Sequence, residues 1–240
     1  MSISQIFNLI LYQPLLNLLI IFYLYLPGHD FGVAVIALTL VTKLMLYPLG
    51  NKAIKAQAAL NELQPKIKEI QEKYKNDKVE QSRQMMEAYK QAKISPFTGF
   101  GPLFIQLPIL IALFQVFSRG LNPESMSNLY SFVVRPDVIN PSFLGIADLS
   151  KPAALLAVLA GIGQFWQTAM MTPKETKKKA NKVGFDPSSM MQKQMQYLFP
   201  LMTVLILFKI PSAVALYWLV SIVFSIVQQY LLNKKYAQPG

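Results

Sequence analysis

Residues 38–50 read LTLVTKLMLYPLG, and they decide the fold because they place a lysine where an apolar chain should have none. Residues 32–50 otherwise form a run long enough to cross the hydrocarbon core of a bilayer, which takes about 20 residues. A charge at the centre of that core costs roughly 3 kcal/mol or more. Lys43 has two ways out. It can snorkel to the interface, since Asn51 lies about 12 Å further along a helix, or it can face a hydrated cavity between helices. Within the span itself the two are balanced.

Outward from this stretch, apolar runs recur to the end of the chain. Of 240 residues, 53% are hydrophobic and 15% charged, the composition of an all-α polytopic membrane protein. Five transmembrane helices are expected, at 32–50, 98–118, 151–171, 197–210 and 211–232, the fourth of them short. Residues 1–31 carry a further apolar stretch that is long enough to span. It is interrupted by Asn8, Gln13, Pro14 and Asn17 and has no basic flank, so it is expected to lie along the outer interface as an amphipathic helix. The same lack of a basic start argues against a cleaved secretory signal.

Lysine and arginine set the orientation, because short loops rich in them stay cytoplasmic. Ten fall in 51–97, six in 172–196 and two in the tail 233–240, against Arg119, Arg135, Lys151 and Lys209 in the remaining loops, which include the extracytoplasmic loop 119–150. The N-terminus is therefore expected outside and the C-terminus in the cytoplasm. The net charge of +11 collects on cytoplasmic loops, where anionic lipid headgroups are natural partners.

Segment 51–97 has an organisation of its own. Leu63, Ile67 and Ile70 recur at helical spacing, as do Val79 and Met86 after a break at Asn76 and Asp77, which predicts a cytoplasmic helical hairpin. Some 45 residues are more than two adjacent spans need, and connections that long are usually functional. These five apolar residues are its candidate contact surface.

All twelve carboxylates fall outside the five spans, so Lys43 has no intramembrane counter-ion in this chain. Polar residues on the spans tilt the choice toward a cavity. Thr39, Lys43 and Tyr47 share one helix face; Gln164, Gln167 and Thr168 share another; Tyr217, Ser221, Ser225 and Gln228 form a third; Gln106 adds an amide to an apolar span. Each stripe alone would serve interhelical hydrogen bonding. Together, around an unpaired lysine, they are expected to line a hydrophilic groove.

In order, LTLVTKLMLYPL, LQPKIKEIQEKYKND, QMMEAYKQAKISPFTGFGPLFIQLPILIALF, ADLSKP, QYLFPLMTV and ALYWLVSIVFSIVQQYLL resemble the YidC/Oxa/Alb membrane protein insertase family over nearly the whole chain. The resemblance implies five helices around a groove open to the cytoplasm and to lipid, closed toward the outside, with a positive charge at the position of Lys43. It also implies nascent membrane proteins as clients, the Sec translocon and the ribosome as neighbours, action as a monomer, and residence in the bacterial plasma (inner) membrane. Lysine stands where the family usually has arginine, so the charge is kept and the fork of donors is lost. Ile222 and Ser95 stand where it usually has asparagine, so neither of those roles carries over.

Other function classes fit less well. There is no cysteine, no G-x-x-x-x-G-K-[ST], no H-E-x-x-H and no G-x-S-x-G, which argues against thiolate metal sites, phosphate-loop enzymes, zincins and hydrolases. No cofactor and no metal site is expected. The one histidine, His29, falls at the break before the first span, beside Gly28 and Asp30. A transporter or channel would also account for a lone buried cation, but the internal repeat common in transporters is not seen.

Overall fold

The structure is a computed structural model that describes residues 2–95, 101–119, 123–171 and 187–236. Residues 96–100 of the proline-glycine block and 172–186 of the second basic loop lie outside the described residues. The described chain is helical apart from one small hairpin and the turns around it.

The first helix runs Ile3–Tyr25, as α1 (Ile3–Phe7) and α2 (Gln13–Tyr25) joined by a π-helical turn over Asn8–Tyr12. Pro14 has no N–H to offer the previous turn, and the wider π turn absorbs that loss. Ser2 starts the helix with a capping box closed by Gln5. After a short turn through Pro27–His29, in which Gly28 takes a left-handed φ of 85°, Asp30 caps α3 (Phe31–Met45) by accepting from the Val33 amide at 2.8 Å.

At Leu46 the chain bends by 64° into α4 (Tyr47–Lys73). The cause is Pro48 in the first turn of α4: it cannot donate to the Leu44 carbonyl, and its ring would clash there in a continuous helix. A turn over 74–76 leads to α5 (Lys78–Gln91), capped by Asp77 through the Val79 and Glu80 amides. Ile67 and Ala88 are buried within this hairpin, and Gln81 donates to the Gln71 carbonyl across it at 2.8 Å.

Next come α6 (Gly101–Arg119), a 3-10 turn over Pro123–Asn128, the hairpin β1 (Ser142–Phe143) and β2 (Ala147–Asp148), α7 (Ala154–Met171), α8 (Pro187–Leu207) and α9 (Ser212–Tyr236). The core is built from α2, α3, α6 and α9, with Leu16, Leu19, Val35, Leu38, Leu113, Val116 and Val214 fully enclosed. Glycines on two sides of α7 allow close helix approach. A Cβ at Gly161 would lie 2.2 Å from Val204 of α8, and one at Gly163 would lie 3.1 Å from Ile222 of α9, the small-residue packing typical of helices in lipid.

By length and composition Ile3–Tyr25, Ala154–Met171 and Ser212–Lys234 can each cross a bilayer, and the bent pair α3 and α4 makes a fourth. The apolar parts of α6 and α8, Ile105–Ser118 and Gln196–Leu207, are shorter, at about 21 and 18 Å. They fall below the roughly 30 Å of hydrocarbon unless the rest of each helix contributes. The first helix is long and apolar enough to span, and two of its amides, Gln13 and Asn17, bond within the protein, as described next.

Candidate functional site

The two ends of the helix bundle are built differently. At one end, residues 123–153 fold into a cap. Asn17, almost fully enclosed, donates to Gln13 O at 2.7 Å and to Asn128 O at 3.2 Å and accepts from the Tyr130 amide at 2.7 Å, while Gln13 donates to Asn128 O at 3.1 Å. Tyr23 Oη accepts from the Asn140 amide at 3.0 Å. The second carboxylate oxygen of Asp30 accepts from the Leu144 amide, and Phe143 sits where a Cβ of Gly32 would be. The start of α9 is tied down as well: Ser212 N donates to Lys151 O at 2.9 Å and Ala213 N to Leu149 O at 3.1 Å. Cap carbonyls thus satisfy amides that every helix start leaves without an intrahelical partner.

At the other end the bundle is held by side chains, and α9 is the common partner. Lys43 Nζ donates to Ser225 Oγ at 3.3 Å, and Ser225 in turn donates to Ser221 O at 2.8 Å. One helical turn on, Gln228 Nε2 donates to Tyr47 O at 3.0 Å and to Asn51 Oδ1 at 2.7 Å. A Cβ at Gly50 would come within 2.9 Å of that amide, so glycine is what lets Gln228 reach the bend. Higher on α9, Tyr217 Oη accepts from Gln106 Nε2 at 2.7 Å and Trp218 Nε1 donates to Gln164 Oε1 at 3.1 Å. Asn61 of α4 donates to Met171 O at 2.7 Å, capping α7. Beside it, α4, α7 and α9 enclose a cavity of about 60 Å³ lined in part by Gln57, Asn61, Gln229 and Asn233, roomy and polar enough for water.

The residues singled out in the sequence divide into two sets. Thr39, Gln164, Tyr217, Ser221 and Gln228 are buried against neighbouring helices. Lys43, Tyr47, Gln106, Gln167, Thr168 and Ser225 are partly accessible. Thr39 and Thr168 return their hydroxyls to the carbonyls one turn back, Val35 O and Gln164 O. Ser221 Oγ is buried beside Tyr217 without a well-formed hydrogen bond among the described residues. Many of these polar groups thus bond within the protein, and of the partly accessible ones Tyr47 and Ser225 lie by Lys43, on the same face one turn on and as its hydrogen-bond partner.

In the hairpin, Ile67 is spent on internal packing, Leu63 and Ile70 are half-buried, and Val79 and Met86 stay 83% and 48% exposed. An open cleft of about 270 Å³ runs between α4 and α5, lined by Lys66, Glu69, Ile70, Lys73, Glu87 and others. Among the described residues no group of three or more His, Asp or Glu side chains is placed to hold a metal ion.

Asn51, Asn61 and Trp218 also belong to this set of bonds. Asn51 had a visible signal, since it continues the four-residue stripe of Thr39, Lys43 and Tyr47 by one step. Asn61 and Trp218 had none, because their partners are distant in sequence.

Comparison with known proteins bears on this arrangement. The model of the family described as 60Kd inner membrane protein matches residues 22–239. A membrane protein insertase YidC of Fusobacterium nucleatum subsp. nucleatum is 34% identical over 206 residues, covering 86% of this chain and 87% of that protein. One of Clostridium tetani is 34% identical over 208 residues, covering 87% and 84%. One of Syntrophus aciditrophicus is 34% identical over 215 residues, covering 89% of this chain but 35% of its own longer one. Proteins with this name are insertases and not enzymes. With the family model spanning almost the whole sequence and full-length relatives of matching size, this helical, multi-pass membrane protein belongs to the YidC/Oxa/Alb family, the family of the 60Kd inner membrane protein.

Proposed function

We propose that the chain is a membrane protein insertase and folding helper of a bacterial inner membrane. In this reading the accessible polar groups around Lys43 form a groove entered from the cytoplasm, and the capped end faces outward. The observation that carries it is the contrast between ends: Lys43 is partly accessible with a serine hydroxyl as its hydrogen-bond partner, while the opposite end is closed by a hydrogen-bonded cap. A cap bonded in this way weighs against a conduit open on both sides.

The work is physical. A client membrane protein with a short acidic outer end must carry polar groups past hydrocarbon, and a wetted half-channel shortens that layer. The Lys43 ammonium attracts the acidic segment and, being held by one long hydrogen bond, releases it again. The client's apolar segment then leaves sideways, each Leu, Ile, Phe or Val contributing roughly 0.3 to 0.6 kcal/mol at the membrane centre. No ATP hydrolysis is required. The hairpin, through Val79 and Met86, meets clients or partners such as the Sec translocon and the ribosome, and the basic loops rest on anionic lipid. A single copy supplies every group named.

The test is reconstitution of the purified protein in liposomes with a single-span client bearing an acidic N-terminal tail, scored by protease protection. Insertion should exceed that in protein-free liposomes, persist in Lys43→Arg and fall about tenfold in Lys43→Glu, the factor that a change of about 1.4 kcal/mol in a barrier produces. No insertion above the protein-free level would overturn the function. Equal insertion with Lys43→Glu would overturn the role of the charge.

A further inference from the structure

The tip of the cap hairpin breaks a rule of turn chemistry. Ile146 N donates to Phe143 O at 3.0 Å across a two-residue turn in which both central residues are left-handed, Leu144 with φ 53° and Gly145 with φ 70°. Turns of this type take Asn-Gly, Asp-Gly or Gly-Gly, because only such residues accept the first position without strain. Here a leucine holds it. Its side chain gains little burial in return: Leu144 is 63% exposed and Ile146, on the other side of the glycine, 88% exposed. A strained position filled by a large apolar side chain that stays mostly uncovered marks a residue whose use lies outside the fold.

The position of the tip identifies what it meets. The Leu144 amide is bound by Asp30, the capping residue of α3, and Phe143 is seated on Gly32 in the first turn of that helix. The tip is therefore fixed at the level where a membrane-crossing element begins, the boundary between headgroups and acyl chains. Tyr25 at the end of α2 and Leu155 at the start of α7, the helix ends that adjoin the cap in the chain or lead into α3, are also exposed. Phe132, Val134 and Val138 of the same cap are exposed as well.

We infer that the Leu144–Gly145 hairpin tip is a lipid anchor, which places Leu144 and Ile146 in the acyl-headgroup boundary of the leaflet at the capped end and holds the cap against the bilayer. The inference rests on the chain crossing a membrane and not on its acting as an insertase.

The chain has no cysteine, so a spin label at Ile146→Cys is unique. In vesicles of phosphatidylethanolamine and phosphatidylglycerol, the label should be relaxed more by oxygen than by a water-soluble nickel chelate. A label at Lys75→Cys, in the turn between α4 and α5, should show the reverse order. A second variant separates anchoring from folding. Leu144→Asn relieves the turn, so in detergent its melting temperature should equal or exceed that of the parent, while in vesicles a label at Val138→Cys should become more accessible to the nickel chelate. Preference for nickel at Ile146 would overturn the anchor. Protection of Ile146 from both reagents, with disulfide-linked dimers of the unlabelled cysteine variant, would overturn it in favour of a second copy of the chain.

Discussion

Helix α9 meets two kinds of partner at its two ends. At Ser212 it is held by the main chain of the cap, through amide-to-carbonyl bonds of 2.9 and 3.1 Å in a fully enclosed setting. At Ser225, 13 residues further on, it is held by one side-chain bond of 3.3 Å from a partly accessible lysine. Main-chain bonds in a dry site open only when whole elements separate, whereas a single exposed side-chain bond opens by rotation of a few torsions. The same helix is thus fixed by main chain at one end and by side chains at the other, where the partly accessible Lys43–Ser225 pair sits beside the buried bonds of Gln228.

The sharpest way to break this contrast is a pair of near-isosteric probes on α9. Ser225→Cys should react with a small polar maleimide on the order of 100-fold faster than Ser212→Cys, the factor that about 2.7 kcal/mol of local opening supplies. Equal rates would mean that the ends do not differ. Buried Thr39→Cys and Ser221→Cys should fall between the two, because they lie near Lys43 yet face protein.

A smaller effect is expected from loosening the cap itself. Asn17→Ala leaves the Tyr130 amide without its partner, at a cost of roughly 1 to 3 kcal/mol for an unsatisfied buried group, while the Asn128 carbonyl keeps its bond from Gln13. The melting temperature in detergent should drop by several degrees. Val79→Ala, on the exposed face of the hairpin, should leave it unchanged. A neutral Asn17→Ala would show that the cap is not held by these bonds.

The smallest effect concerns acid. Asp148 is held below the usual carboxylate range by hydrogen bonds from Ser150, with Lys151 at 3.0 Å adding to them. Since its folded value is depressed, its contribution to cap stability is present above the ordinary carboxylate range and is lost as pH falls through the folded value. Because Asp148 is exposed, the ion pair itself adds little. Ser150→Ala should move the Asp148 midpoint up, read from its carboxyl carbon by NMR, and lower the melting temperature at neutral pH by less than Asn17→Ala does.

What the sequence reveals depends on distance along the chain. The helical character of the apolar runs and the breaks at Pro48 and at Asn76–Asp77 are local signals, set by missing amides and capping side chains. The polar stripes were legible as periodicity, and so was the isolation of Lys43 from acids. Their pairing was not, since Lys43 meets Ser225 and Gln228 meets Tyr47 across about 180 residues. Nor does the sequence show that Thr39, Gln164, Tyr217, Ser221 and Gln228 are buried against neighbouring helices. Gln13 and Asn17 read in the sequence as polar breaks in an apolar run, with no sign of what they bond to. Here the partner is a carbonyl 111 and 115 residues away.

The bend at Leu46 changes the electrical setting of the lysine that opened the question. In an unbroken helix Lys43 would sit mid-column, with every nearby carbonyl engaged. Because α3 stops at Met45, Lys43 lies in its final turn, the end toward which the aligned peptide dipoles turn their negative pole and where a cation is favoured by typically about 0.3 to 1 kcal/mol. The backbone thereby provides a counter-charge that no acidic side chain within the spans could give. It is also diffuse and partial, so it can hold a cation in place without neutralising it for an arriving carboxylate.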